Sequence, residues 1–284
     1  MSNIIKLEIV EKYNPYHDSK GRFTSAGSAT SFTIGSKSGL EWDKKNVQRA
    51  IEREKQRTSA KEDGPTKIKR VESELKGMLN KSATVDFTGM DPDVAEETAA
   101  EIKKVLDKYP GCKDAYGGFS TEEPVPGYFR VNENVVACYV PHTKTIHLNP
   151  NSYGNKEKLK ADYEKDLIYG FHPEGTNYNA SIVHEMGHAI DFYISNNRFG
   201  SYDVITKKKM VSAEIWETDL KKSKKTSGKL SEIVSESLSG YATKNSMEYL
   251  AEGFAEAMCS SNPRPTAKSI MKRFENQIKK FSEA

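Results

Sequence analysis

The chain has 284 residues, 29% of them charged, and its 43 basic and 40 acidic side chains leave a net charge of +3. That near balance, with no large basic field, argues against a nucleic-acid partner. Mean hydropathy is -0.71 and no apolar run approaches about eighteen residues, so no membrane span is expected.

The start, Met1-Ser-Asn-Ile-Ile-Lys-Leu-Glu, mixes charge and apolar residues too densely for a signal-peptide core. Three scattered cysteines, Cys112, Cys138 and Cys259, offer neither a disulfide framework nor zinc-cluster spacing. They suit a reducing compartment, with burial the expected fate of each.

Residues 1–81 read as an N-terminal arm that docks or links. Turn formers crowd Lys12 to Gly27, and Ser, Gly and Thr dominate 25–39. A charged stretch follows, in which Ile68, Val71, Leu75 and Met78 keep the spacing of a short amphipathic helix. The compact domain is expected over 82–284. A helix from Asp91 to Tyr109 carries Val94, Ile102, Val105 and Leu106 on one side and stops at Pro110-Gly111.

Two strands are expected at Val135–Val140 and Thr143–Leu148, separated by Pro141-His142. The second precedes the histidine helix and is placed as an edge on which an extended peptide can be held by β-augmentation. His147, on its polar face, is the candidate substrate-binding residue. Residues 155–175 are charged and close in a turn, Phe171-His-Pro-Glu-Gly-Thr-Asn177, with Asn179 or Ser181 available to cap the helix that follows.

That helix carries His184-Glu185-Met186-Gly187-His188. Positions four apart project from one helix face, so both imidazoles can reach one metal ion, and Glu185 stands ready to take a proton from water on that metal. Ile182, Val183, Met186, Ala189, Ile190 and Phe192 supply the apolar positions of a buried, rigid element. HExxH is the zinc-peptidase pattern, and the expected cofactor is one Zn2+ per chain. The helix must stop after Asn196-Asn-Arg-Phe-Gly200, and residues 203–239 read as a polar, helix-prone insertion over or beside the cleft, anchored by Trp216.

A catalytic zinc needs a third protein ligand. Glu248, Glu252 and Glu256 recur every fourth residue along an Ala-rich, otherwise apolar helix, and carboxylates on such a face need a neutralising partner. Spacing does not separate Glu248 from Glu252, and Asn245-x-x-Glu248 also fits a capping box that would use Glu248 locally. Asp191, one turn beyond His188, suits either a group ordering the ligands from behind or a salt bridge on the helix surface.

Ser239 to Met258, together with His184-Glu-Met-Gly-His-Ala-Ile-Asp191, resembles the catalytic domain of the anthrax lethal factor family of zinc peptidases. The resemblance covers roughly residues 130–284. It implies an α+β, zincin-like domain: a small sheet with an edge strand, the HExxH helix and a glutamate helix. It assigns Glu248 as third zinc ligand, Tyr241 as the hydroxyl that steadies the developing oxyanion, and Glu252 as a support behind the ligands. The closing helix Ser269–Phe281, with Ile270, Phe274, Ile278 and Phe281 on one stripe, is similar to the same family's last helix.

Asn14-Pro-Tyr-His-Asp-Ser-Lys-Gly-Arg-Phe-Thr-Ser-Ala-Gly27 resembles an element of tailed-phage structural and head-morphogenesis proteins, and Pro173-Glu-Gly-Thr is similar to phage-encoded zincin-like domains. These likenesses imply a virion or host-cytoplasm location, phage head or portal proteins as partners of the arm, and a protein or peptide substrate. The function expected is zinc-dependent endopeptidase. The alternative is a non-catalytic phage structural protein that retains the fold.

Overall fold

The computed structural model describes residues 62–199, 210–223 and 230–282. The element at 14–27 and the tether lie outside the described residues. Helix α1 (Gly64–Met78) begins where the Asp63 carboxylate accepts from Thr66 N at 2.8 Å, an N-cap. Val71 and Leu75 are buried in the same core as α2 (Pro92–Lys108), and Arg70–Glu96 and Lys67–Asp93 ion pairs link the two helices. The compact unit therefore begins at Glu62 and not near residue 82. The 68–78 stripe is a core face, and its partner is α2. Asp91 caps α2, accepting from Asp93 N and Val94 N, and the helix ends before Tyr109 as expected.

Four short strands form one mixed sheet in the order β1 (Thr84–Asp86), β2 (Gly118–Ser120), β4 (Thr145–Leu148), β3 (Ala137–Val140). β1, β2 and β4 are parallel, and β3 pairs antiparallel with β4. The expected hairpin is present, but its edge is the first strand. β4 has neighbours on both sides and is buried from Ile146 to Leu148, whereas β3 has no strand on its outer side among the described residues. Alternation along β4 reads the two faces of a strand and says nothing about its neighbours.

Short helices α3 (Tyr128–Val131) and α4 (Pro150–Tyr153) flank the hairpin, and α5 (Lys156–Ile168) fills the charged segment. α6 (Ala180–Phe199) carries the histidines. The turn ahead of it is closed by Asn177, whose side chain accepts from Asn179 N at 2.9 Å. Asn179 Oδ1 is buried with no partner and Ser181 lies inside the first turn, so neither expected cap forms.

α7 (Val211–Ser223) and α8 (Leu230–Ser237) lead to the glutamate helix α9 (Ser246–Cys259), and α10 (Pro265–Ser282) closes the unit. α7 packs on α9 and α10 with Val211 and Ile215 in the core, and Trp216 meets Tyr249 edge-on at 4.9 Å. It braces the glutamate helix from behind and does not cover the cleft, because its apolar residues are spent on that contact. α6 and α9 approach closely at Gly187, where a Cβ would meet Phe254 Cδ1 at 3.2 Å and Ala251 Cα at 3.4 Å. That approach sets which α9 residues face the histidines. No described helix is long and apolar enough to cross a membrane.

Candidate metal centre

His184 and His188 project from the same side of α6, their ring centroids 4.7 Å apart. One carboxylate oxygen of Glu248 lies 3.0 Å from His184 Nε2 and 3.2 Å from His188 Nε2. The Asn245 side chain caps α9 by accepting from Met247 N and Glu248 N, so the cap forms without using the Glu248 carboxylate.

Each glutamate of the stripe has its own counterpart. Glu252 accepts from His184 Nδ1 at 2.7 Å and from Ser239 Oγ at 2.7 Å. Glu256, fully buried, accepts from the Arg264 backbone and guanidinium at 2.6 and 2.8 Å. Only Glu248 faces both histidines.

The donor set fits a zinc ion. A carboxylate only accepts, so Glu252 fixes the His184 proton on Nδ1 and turns Nε2 toward Glu248. Two ring nitrogens and one carboxylate oxygen lie within 4.8 Å of one another. Zinc bonds of about 2.0–2.2 Å in a tetrahedron need ligand separations of about 3.3–3.6 Å, close to those found. Burial disfavours an imidazolium at His184, but hydrogen bonds to Glu248 and Glu252 outweigh it and hold its pKa well above the ordinary value. Burial also opposes the Glu248 carboxylate, and the two histidines still hold its pKa well below the carboxylate range. The three groups together favour positive charge between them.

Glu185 sits between the centre and the sheet edge. Tyr139 N donates to Glu185 Oε2 at 2.8 Å, while the other oxygen has no hydrogen bond among the described residues. Burial raises the Glu185 pKa, partly offset by the neighbouring histidines. Because Tyr139 N–H points away from β4, the alternation of an antiparallel ladder directs Ala137 N–H and C=O outward as well. Ala137 lines the cleft with His184 and Glu185, so a free strand edge borders the histidine and glutamate cluster.

The same cleft is lined by Phe171, His172, Tyr241 and Lys244. Tyr241 begins a short 3-10 turn, Tyr241–Thr243, that is tied down twice. Gly240 N donates to Gly170 O at 2.7 Å and Tyr241 N to Phe171 O at 3.3 Å, while Ala242 N donates to Ser239 Oγ at 3.1 Å. The Tyr241 ring is 5.7 Å from that of His184, and its hydroxyl bonds to none of the described residues. Burial and then Glu248 and Glu185 push its pKa up, keeping it a donor.

Compared with known protein families, the chain matches no family model, and no curated protein matches it.

His147 is not in the cleft. Its strand is internal, and its Nδ1 donates to the Glu122 carbonyl at 2.6 Å, which makes it a buried tie to the 121–136 segment. Asp191 makes no surface ion pair among the described residues. It is 1% exposed, and its Oδ1 accepts from Ser195 Oγ at 3.2 Å and Ser212 N at 3.1 Å, fastening α7 to α6. Its Oδ2 and His188 Nδ1 are both buried without partners, and burial raises its pKa.

Sequence reasoning missed Ser239, Lys244, Phe171 and His172. The last is a half-buried ring stacked at 4.3 Å on Tyr163, with its pKa lowered by desolvation. The Pro-Glu-Gly turn marked the place but not its role.

Proposed function

We propose that this chain is a zinc-dependent endopeptidase with a zincin-like fold, its metal held by His184, His188 and Glu248. The observation that carries the reading is the convergence of those three donors beside Glu185 at a free sheet edge. A bound zinc supplies Lewis acidity, which makes water nucleophilic near neutral pH and polarises a carbonyl.

The protein's residues do the rest. The outward N–H and C=O of Ala137 hold an extended peptide by its backbone. Glu185, steadied through one oxygen by Tyr139 N–H, takes the proton of the attacking water with the other. As the water oxygen bonds to the scissile carbon, Tyr241 donates a hydrogen bond to the developing oxyanion. The C–N bond then breaks, and Glu185 returns the proton to the leaving amine. Glu252, bridged to the Tyr241 turn by Ser239, keeps His184 in the tautomer the centre requires. The substrate is a polypeptide, drawn from particle or host proteins if the arm docks as the resemblance of residues 14–27 implies.

The test is digestion of a randomised peptide mixture and of particle proteins by zinc-loaded wild type and Glu185→Gln. New N-termini from wild type alone support the peptidase. Identical mixtures from both, in folded zinc-bound protein, would favour the non-catalytic structural role.

A further inference from the structure

We propose that Lys244 is a specificity-determining residue that favours substrates carrying an acidic side chain close to the scissile bond; this rests on the peptidase reading above. Lys244 follows Tyr241 by three residues and immediately precedes the cap of α9. Its ammonium lies 3.8 Å from the centroid of the Tyr241 ring and 5.7 Å from that of Phe171, two rings that themselves meet at 4.8 Å. An ammonium over two aromatic faces is held in one region and keeps its N–H donors for other partners. Yet among the described residues no carboxylate lies within ion-pair distance of it.

The charges around it favour an incoming acid. Lys244 is the only lysine or arginine among the described residues that line the cleft. The neighbouring carboxylates have partners of their own: Glu185 is held through one oxygen by Tyr139 N–H, Glu248 meets the two histidines, and Glu252 meets His184 and Ser239. Asp166, the remaining acid of the wall, stands near His172. A peptide held along β3 shares the cleft with Lys244, and an Asp or Glu side chain reaching that wall meets the one Lys or Arg that the described residues bring to the lining. The rival explanation, that Lys244 only packs Tyr241 in place, predicts an effect equal for all substrates.

The experiment uses the full chain in two arms. In the first, cut sites from a randomised peptide mixture are read for wild type, Lys244→Gln and Lys244→Glu, and a cleaved peptide is remade with Glu or Gln at each flanking position. Wild type is expected to favour Glu at one position by about five-fold in kcat/KM, carried by KM, as suits an exposed ion pair. Lys244→Gln removes the preference and Lys244→Glu turns it toward Lys or Arg. A uniform fall in kcat across all peptides overturns the proposal in favour of mere packing, and so does an unaltered preference.

In the second arm, the Glu185→Gln form, with and without Lys244→Glu, is titrated by fluorescence polarisation with the Glu and Gln peptides. Tighter Glu-peptide binding that Lys244→Glu abolishes supports the recognition role, and equal binding contradicts it. Absence of cleavage by wild type would defeat the peptidase reading, while cleavage without acidic selection would defeat this inference alone.

Discussion

Glu252→Ala tests the link between the buried carboxylate and the metal. Glu252 is 2% exposed and touches no proposed reacting atom; it holds His184 Nδ1 at 2.7 Å and Ser239 Oγ at 2.7 Å. Removing it leaves His184 Nδ1 buried without an acceptor and frees the ring to turn. Loss of such a partner weakens metal binding about 10–100-fold, or about 1.4–2.8 kcal/mol. Zinc affinity is measured by competition with a fluorescent chelator, with circular dichroism to check the fold.

Two controls sharpen the result. Glu252→Gln keeps an acceptor for His184 and should fall between wild type and Ala. Ser239→Ala removes one hydrogen bond to Glu252 and should cost about 1 kcal/mol or less of zinc affinity. The titration is run near pH 7 and again at about pH 8.5, because losing Glu252 also eases proton competition for His184 and hides part of the effect at the lower pH. A folded Glu252→Ala protein binding zinc within about two-fold of wild type at both values would refute the supporting role.

Glu185→Gln should lower peptide cleavage by about 10²–10⁴-fold while leaving zinc bound, as read by single-turnover kinetics and metal analysis. Tyr241→Phe should lower kcat by about 10²-fold with KM little changed; an equal rise in KM would make Tyr241 a binding residue instead. Gly187→Ala places a methyl 3.2 Å from Phe254 Cδ1 and should destabilise the fold by about 1–3 kcal/mol in urea denaturation. The metal-free protein should also lose stability on the alkaline side. The raised His184 pKa contributes stability below about pH 6.5 that is lost as pH climbs through the folded value. The lowered Glu248 pKa contributes above about pH 4.5 and is lost in acid. Thermal melts against pH should show the alkaline decline without zinc and not with it.

The histidine pair was legible because helical geometry alone brings residues four apart onto one face, and the apolar residues around them announced a buried helix. The choice among the glutamates was not. Glu248, Glu252 and Glu256 share a stripe, and only the contact of α9 with Gly187 of α6 fixes which one reaches both Nε2 atoms. His147 was misplaced because strand alternation reports faces and not neighbours, and β4 proved internal.

The boundary near residue 82 failed for a related reason. Val71 and Leu75 look like a short amphipathic face until their partner on α2 is known. Lys244 and Ser239 escaped because the wall they belong to is assembled by backbone hydrogen bonds between 170–171 and 240–241, seventy positions apart.

The most direct measurement is peptide cleavage by chelator-stripped protein as zinc is added back, with metal content followed in parallel. Activity that rises from nothing and levels off at one zinc per chain, with Glu248→Ala failing to reach it at the same free zinc, is the expected result. Cleavage indifferent to zinc, or none at any loading of folded wild type, would contradict a His184, His188 and Glu248 peptidase centre.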